Sequence, residues 1–337
     1  MPDTPRRGRG SGKAQEQSAG HAAGSRPSSP PRPSASDRRD LRGSAGPAGF
    51  ARSGAAGGRG GDRSALPDAP SATAPLPTAL WPIADAGLAA LGIALRPAAR
   101  AAIDAHLRLL LAWNEHVNLT ALRTPEQVAR GHLLDSLSAL PLIGRLAARG
   151  GIPPALLDLG SGGGFPGLPL AVCLPAGRCA LVDSVGKKAA FLNVAAAAAA
   201  GALRNAGEMP PTLTALAERA EDLADDPAQR AGWDIVVARA VGSLAEVLEL
   251  GLPLLRVGGH VVAWKSEAVA AGLRGEINAA WRIGQDAGGG RPIVAAPDRD
   301  GMAGLADHRL VVVRKVRPTP ERYPRPPAER RRARLLR

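Results

Sequence analysis

A short apolar run that ends in an acid and breaks into glycines, Leu156-Leu157-Asp158-Leu159-Gly160-Ser161-Gly162-Gly163-Gly164-Phe165-Pro166-Gly167, constrains this chain more than any other stretch. A strand running into such a turn brings main-chain N–H groups against a ligand, because glycine accepts the positive φ that other residues resist. The helix that opens near Pro166 adds its positive end. A second apolar run, Cys179 to Val182, ends in Asp183. In a β-α-β unit the tip of the second strand, about 20 residues past the glycines, is where an acid grips ribose hydroxyls. The spacing therefore predicts a nucleoside-binding unit.

Two cofactor classes use this geometry. Read from Gly162 the loop fits G-x-G-x-x-G, a dinucleotide fingerprint that is weak alone. Read from Asp158 it fits D-x-G-x-G-x-G, the loop shape of S-adenosylmethionine-dependent methyltransferases. The second reading is favoured, with a dinucleotide or a ligand-free glycine turn as the alternatives. No Gly-Lys-Ser/Thr follows, which excludes a P-loop. Leu159 stands where a G-x-S-x-G nucleophile elbow around Ser161 needs its first glycine.

The chain has 337 residues and a formal net charge of +13. Residues 1 to 78 are dominated by Gly, Ser, Pro, Arg and Ala, with too little apolar surface to offset the entropy of ordering. They are expected to form a disordered basic tail. Residues 317 to 337 are expected to form a second basic tail, and between the two ends acids and bases nearly balance. Basic ends on a neutral centre point to a polyanionic partner. Cys173 and Cys179 read as buried apolar groups in a reducing compartment. Neither they nor the six histidines fall at metal-ligand spacing, so no metal is expected. The alanine-rich run Ala189 to Leu203 reads as a helix and not as a membrane span. A cytoplasmic, monomeric protein is expected.

From Leu80 to Leu146 the pattern is helical, with Leu107, Leu110, Leu111 and Asn114 at three- and four-residue steps, which gives a helical cap over 79–150. Over 151–316 strands and helices alternate. Strands are predicted at 155–159, 178–183, 213–216, 234–239, 259–264 and 308–313, and helices near 166–174, 187–203 and 243–252. This is an α/β pattern: a Rossmann-like, mostly parallel twisted sheet with helices on both faces and ligands at the carboxyl ends of the strands.

Three further strand ends carry chemistry. Glu221, in Glu218-Arg219-Ala220-Glu221-Asp222, follows the third strand, where the loop reaches the purine side of a cofactor pocket; the alternative is a solvated acidic face on a short helix. Arg239 ends the fourth strand, and the cost of desolvating it argues that it faces the cleft, holding substrate phosphate or base. Lys265 closes the fifth strand, either binding phosphate or standing exposed. In the cap, Asn114 and Asn118 fall on one helix face at i, i+4. His132 and Asp135 pair at i, i+3, read as a hydrogen-bonded pair that fixes the cap in preference to a general base. Ala238-Arg239-Ala240-Val241 lacks the Asn/Asp-Pro-Pro-aromatic stretch of exocyclic-amine methylases, and neither cysteine lies there to act as a nucleophile. What is left are acceptors that attack unaided. A dinucleotide-dependent oxidoreductase and a noncatalytic RNA-binding protein on the same fold are the competing readings.

With these residues in hand, the chain resembles the bacterial small-subunit ribosomal RNA guanine-N7 methyltransferase family, also called glucose-inhibited division protein B, from about Leu107 to Val316. The motifs that carry the resemblance are W-N-x-x-x-N-L-T at 113–120, H-x-L-D-S-L at 132–137 and D-x-G-S-G-x-G-F-P-G at 158–167. Val182-Asp183-Ser184, Lys187-Lys188, Phe191-Leu192, Arg219-Ala220-Glu221 and Arg239-Ala240 continue it. The ending Tyr323-Pro324-Arg325-Pro326-Pro327 lacks the glycine usual in the family. The resemblance implies an S-adenosylmethionine-dependent enzyme that methylates N7 of a guanine in 16S ribosomal RNA, free or in an assembling small subunit. It also implies a cofactor site that uses Gly160, Phe165, Ala220, Glu221 and Arg239, beside the Gly162 and Asp183 read from the loop and the second strand. Arg239 would also position the reactants. Guanine N7 carries an in-plane lone pair and no proton, so no general base is expected.

Overall fold

A computed structural model describes residues 66–148, 153–175, 177–267, 272–295 and 305–335. By internal contacts the chain divides into Met1–Gly61 and Asp62–Arg337, and every described residue lies in the second unit. Residues 1–65 of the expected N-terminal tail lie outside the described residues.

Seven strands, β1 (Ala155–Leu159), β2 (Arg178–Val182), β3 (Thr212–Leu216), β4 (Trp233–Arg239), β5 (Leu255–Ser266), β6 (Ile293–Ala295) and β7 (His308–Arg314), form one sheet. Its order is β3-β2-β1-β4-β5-β7-β6. The first five strands pair in parallel, and β7 runs antiparallel to both β5 and β6. This is the Rossmann-like sheet that the alternating pattern predicts. Chain order reverses between β1 and β4, so the carboxyl ends of these two strands open a crevice for a ligand. Period-two alternation distributes the side chains. Leu157 and Leu159 join Val236, Val261 and the helices of one face. Leu156 joins Ile235, Val237, Val262 and the helices of the other. With both faces covered, the central strands are apolar on both sides.

The helices are α1 (Leu80–Ala90), α2 (Pro97–Trp113), α3 (Pro125–Gln127), α4 (Asp135–Leu137), α5 (Leu140–Ala148), α6 (Gly167–Cys173), α7 (Gly186–Asn205), α8 (Ala220–Asp225), α9 (Leu244–Leu254), α10 (Gly272–Asp286) and α11 (Pro327–Leu335). Between α3 and α4 the chain is π-helical over Val128–Leu134. Helix α2 starts on Pro97, whose fixed φ suits a first helical turn. It buries Ile103, Leu107, Leu110 and Trp113, recurring at three- and four-residue steps. Phe191, fully buried on the alanine-rich α7, fills the space between α2 residues Trp113 and His106, with ring centroids 5.7 and 6.0 Å away. The cap residues Leu80, Ile103 and Leu133 belong to the same core cluster as Leu156 and Val262 of the sheet, so cap and sheet share one apolar interior.

Three expectations are corrected. Helix α2 stops at Trp113, so Asn114 and Asn118 do not share a helix face. Instead the Asn114 side chain accepts from the N–H groups of Leu119 and Thr120 at 2.9 and 3.0 Å and donates to the Thr120 carbonyl at 3.0 Å. A short amide that imitates backbone ends helices in this way. Residues 66–78, assigned to the N-terminal tail, are tied to α2: Trp113 Nε1 donates to the Pro67 carbonyl at 2.7 Å, and Arg108 Nη2 to that of Thr73 at 2.9 Å. Within the C-terminal stretch Tyr323 is buried, Arg325 is bound to Glu249 and α11 is formed. The pattern also did not foresee α10 or β6.

Candidate functional site

Sheet register brings the predicted residues together. Leu159 is paired with Val182 on one side and Ala238 on the other, so Gly160, Asp183 and Arg239 leave their strands side by side. The glycine loop folds over the tip of β2. Ser161 N–H donates to the Val182 carbonyl at 2.9 Å, and Gly162 N–H donates to Asp183 Oδ2 at 3.1 Å. The second Asp183 oxygen accepts from Val185 N–H at 2.9 Å, and Lys188 Nζ lies 3.9 Å from Oδ2. Gly160 has a φ of 69°, and a Cβ there would stand 2.8 Å from Val241 Cγ2, so the turn requires glycine at this position for both conformation and space. Asp158 closes the loop from beneath by accepting from Gly167 N–H at 2.9 Å. Burial pushes its carboxyl up to about 7, and its other oxygen has no partner among the described residues.

At the mouth of this crevice lies a cleft of about 690 Å³, within the range of cofactor-sized sites. Gly160, Asp183, Ala220 and Glu221 of the predicted set line it, together with Lys188 and Val241. Ala220 and Glu221 open α8, the short helix given as the alternative context for Glu221, and that helix nevertheless faces the cleft. These groups could hold a nucleoside between them: a carboxylate at the β2 tip, a second carboxylate across the cleft and a glycine backbone between.

Phe165 and Arg239 stand elsewhere. Phe165 is buried and stacks face to face on His132, centroids 4.4 Å apart at 6°, with the Arg239 guanidinium 5.6 Å above its ring. Arg239 is turned toward the cap. It donates through Nη1 to the Gly131 carbonyl at 2.8 Å and Asp135 Oδ2 at 3.0 Å, and through Nη2 to His132 Nδ1 at 2.9 Å. Since arginine can only donate, His132 Nδ1 is an acceptor and its proton sits on Nε2, which donates to Thr120 Oγ1 at 2.6 Å. Burial, then the Arg239 charge, holds this imidazole down at about 3. His132 is thus a neutral strut. Asp135 takes its second hydrogen bond from His308 Nδ1 at 3.0 Å, and its carbonyl takes one from Trp264 Nε1 at 3.0 Å. His132 and Asp135 fix the cap by each accepting a hydrogen bond from Arg239, in place of the expected bond between the two. Lys265 is half-buried, and its Nζ donates to the Gly242 carbonyl at 2.6 Å and to Glu276 Oε1 at 2.8 Å.

Sequence reasoning passed over His106 at the site and assigned Arg330 to the RNA-binding basic C-terminal run. His106 reaches from α2 to the Gly163 carbonyl at 2.7 Å and is fully buried, held neutral by burial down to about 4. Its place on the apolar stripe with Leu110 and Trp113 was the available signal. Arg330 donates through Nη2 to Glu221 Oε1 from α11. No local pattern announces that contact, because its partners are far apart in sequence.

The comparisons agree with this geometry. A family model described as rRNA small subunit methyltransferase G matches residues 99–280. A protein named ribosomal RNA small subunit methyltransferase G from Roseiflexus sp. strain RS-1 is 42% identical over 216 residues, covering 64% of this chain and 83% of its own length. Namesakes from Deinococcus radiodurans and Symbiobacterium thermophilum are 41% and 36% identical. They cover 65% and 74% of this chain, and 79% and 95% of their own lengths. With the motif-bearing loop, the tips of β1, β2 and β4 and the cap from Ala99 onward inside the matched region, this chain belongs to the rRNA small subunit methyltransferase G family.

Proposed function

We propose that this protein transfers a methyl group from S-adenosylmethionine to N7 of a guanine in 16S ribosomal RNA, free or within an assembling small subunit. The observation that carries the reading is the glycine loop of D-x-G-x-G-x-G pattern folded over Asp183 at the edge of the cleft, in a chain of this family. The residues suit the cofactor. Gly160 leaves room for close approach, Asp183 keeps acceptor capacity for ribose hydroxyls beyond its two amide bonds, and Ala220 and Glu221 offer backbone and carboxylate to a purine edge. When bound, S-adenosylmethionine supplies an electrophilic methyl group on a cationic sulfur.

The protein's part is then alignment and electrostatics. Guanine N7 needs no deprotonation, and His132 and Asp135 serve accordingly as supports. They hold Arg239 and Phe165 behind the loop and so keep the loop and the β4 tip in one register. Arg239 acts in this reading as a positioning residue. The alternative of a dinucleotide-dependent oxidoreductase draws no support from the family match.

Incubating the protein with labelled S-adenosylmethionine and 16S RNA or small subunits tests the reading. Reduction and aniline cleavage of the product should break the RNA chain at a single labelled guanine, as N7 methylation requires. Label on an exocyclic amine, or no transfer to RNA, would overturn it.

A further inference from the structure

The C-terminal stretch was expected to be a flexible cluster of RNA-binding charges, and the structure instead packs it against the cleft. Arg325 is its anchor. The guanidinium grips both oxygens of Glu249 on α9, at 2.8 and 2.7 Å, and its N–H donates to the same carboxylate at 3.0 Å. Tyr323, the only tyrosine of the chain, is buried beside it. Arg230 holds the carbonyls of Tyr323 and Pro320 at 3.0 and 3.1 Å. From this anchor α11 carries Arg330 into the cleft that Asp183 also lines, where Nη2 donates to Glu221. The Arg330 side chain is only 11% exposed, and its Nη1 is buried with no partner among the described residues.

A buried guanidinium nitrogen without an acceptor costs free energy, and a ligand that brings an acceptor removes the cost. We propose that Arg330 is a cofactor-binding residue that donates to the nucleoside end of S-adenosylmethionine, so that α11 forms one wall of the nucleoside pocket. This rests on the methyltransferase reading above. The chemistry selects the end of the cofactor. Its sulfonium and ammonium are repelled by a guanidinium, and Arg330 is held on Glu221, the carboxylate that the reading above assigns to the purine edge. The purine ring nitrogens and ribose oxygens are neutral acceptors. The low exposure disfavours an RNA phosphate at this position, whereas Arg332 on the same helix is exposed and suits one.

Calorimetry on the full-length protein decides the matter. S-adenosylmethionine and 5′-methylthioadenosine, which keeps the nucleoside and lacks the amino acid, are titrated into wild type, Arg330→Met and the control Arg332→Ala. The assignment predicts that Arg330→Met weakens both ligands by a similar factor, about tenfold, as for losing a hydrogen bond from a charged donor. Arg332→Ala should leave both affinities unchanged. A second variant, Arg330→Lys, keeps the charge, loses the planar fork and should also weaken both ligands, which covers the case in which Arg330→Met does not fold. Unchanged affinity in folded Arg330 variants would overturn the assignment. So would a loss of RNA affinity with cofactor binding intact, which would make Arg330 a phosphate contact. Failure of the wild type to bind S-adenosylmethionine would instead refute the functional reading itself.

Discussion

Arg239 donates to Nδ1 of His132 at 2.9 Å, and that one bond joins the tip of the central β4 strand to the cap and sets the tautomer of a buried imidazole. The other end of the same guanidinium is held by Asp135, which is 1% exposed. Asp135→Ala removes the carboxylate from a buried pair and leaves the cation without its partner. A loss of about 3 to 5 kcal/mol in unfolding free energy follows. Urea unfolding of the variant checks this, and a change below about 1 kcal/mol would mean that the pair is not structural.

The strands were legible in the sequence because each is a short apolar run closed by a turn or a charged residue. Strands β1, β2, β4 and β7 lie within a residue or two of their predicted bounds. Helix α10 and β6 were not: β6 is three residues long with Ile293 and Val294 exposed, too short for any period to register. At the site, Gly160, Asp183 and Glu221 were legible because position on a parallel sheet follows from chain order alone. The direction of Arg239 was not, since its acceptors Gly131, His132 and Asp135 come from the cap. The C-terminal segment was misread for a related reason. Arginine-rich composition signals solvation, while the carboxylates that hold it, Glu221 and Glu249, belong to distant helices.

Three buried groups give opposing pH dependences. His106 and His132, lowered from 6.5 to about 4 and about 3, bind fewer protons folded than unfolded, so they make stability rise as pH climbs from about 4 to 6.5. Asp158, raised from 3.8 to about 7, binds more protons folded, so it makes stability fall over the interval between those values. Asp158→Asn abolishes that fall. The melting temperature of the variant relative to wild type should therefore be higher at about pH 8 than at about pH 5. A variant melting temperature that falls relative to wild type between those two pH values contradicts the assignment.

Truncation separates the two parts of the N-terminal stretch. Residues 1–65 lack core-forming composition, and their removal should leave the melting temperature nearly unchanged. Extending the deletion through 78 removes the acceptors of Trp113 and Arg108 and should lower it by several degrees. Equal melting temperatures for the two truncations would show those contacts to be dispensable.

Arg331 and Arg332 are exposed on α11. Replacing both with Gln should weaken RNA binding and reduce the slope of log affinity against log salt by on the order of one to two, since each phosphate contact releases counterions. Filter binding across a salt series reads this directly, and an unchanged slope would remove the helix from the RNA interface.

The central claim is that the cleft edged by Gly160 and Asp183 binds S-adenosylmethionine, and calorimetry of that cofactor with wild type and Asp183→Ala tests it most directly. The account predicts measurable binding to wild type and a loss of about 1.5 to 3 kcal/mol in the variant, as expected for hydrogen bonds made to a charged acceptor. Circular dichroism confirms that the variant is folded, since Asp183 also receives the Gly162 and Val185 amides. Equal affinity in a folded Asp183→Ala protein would contradict the account.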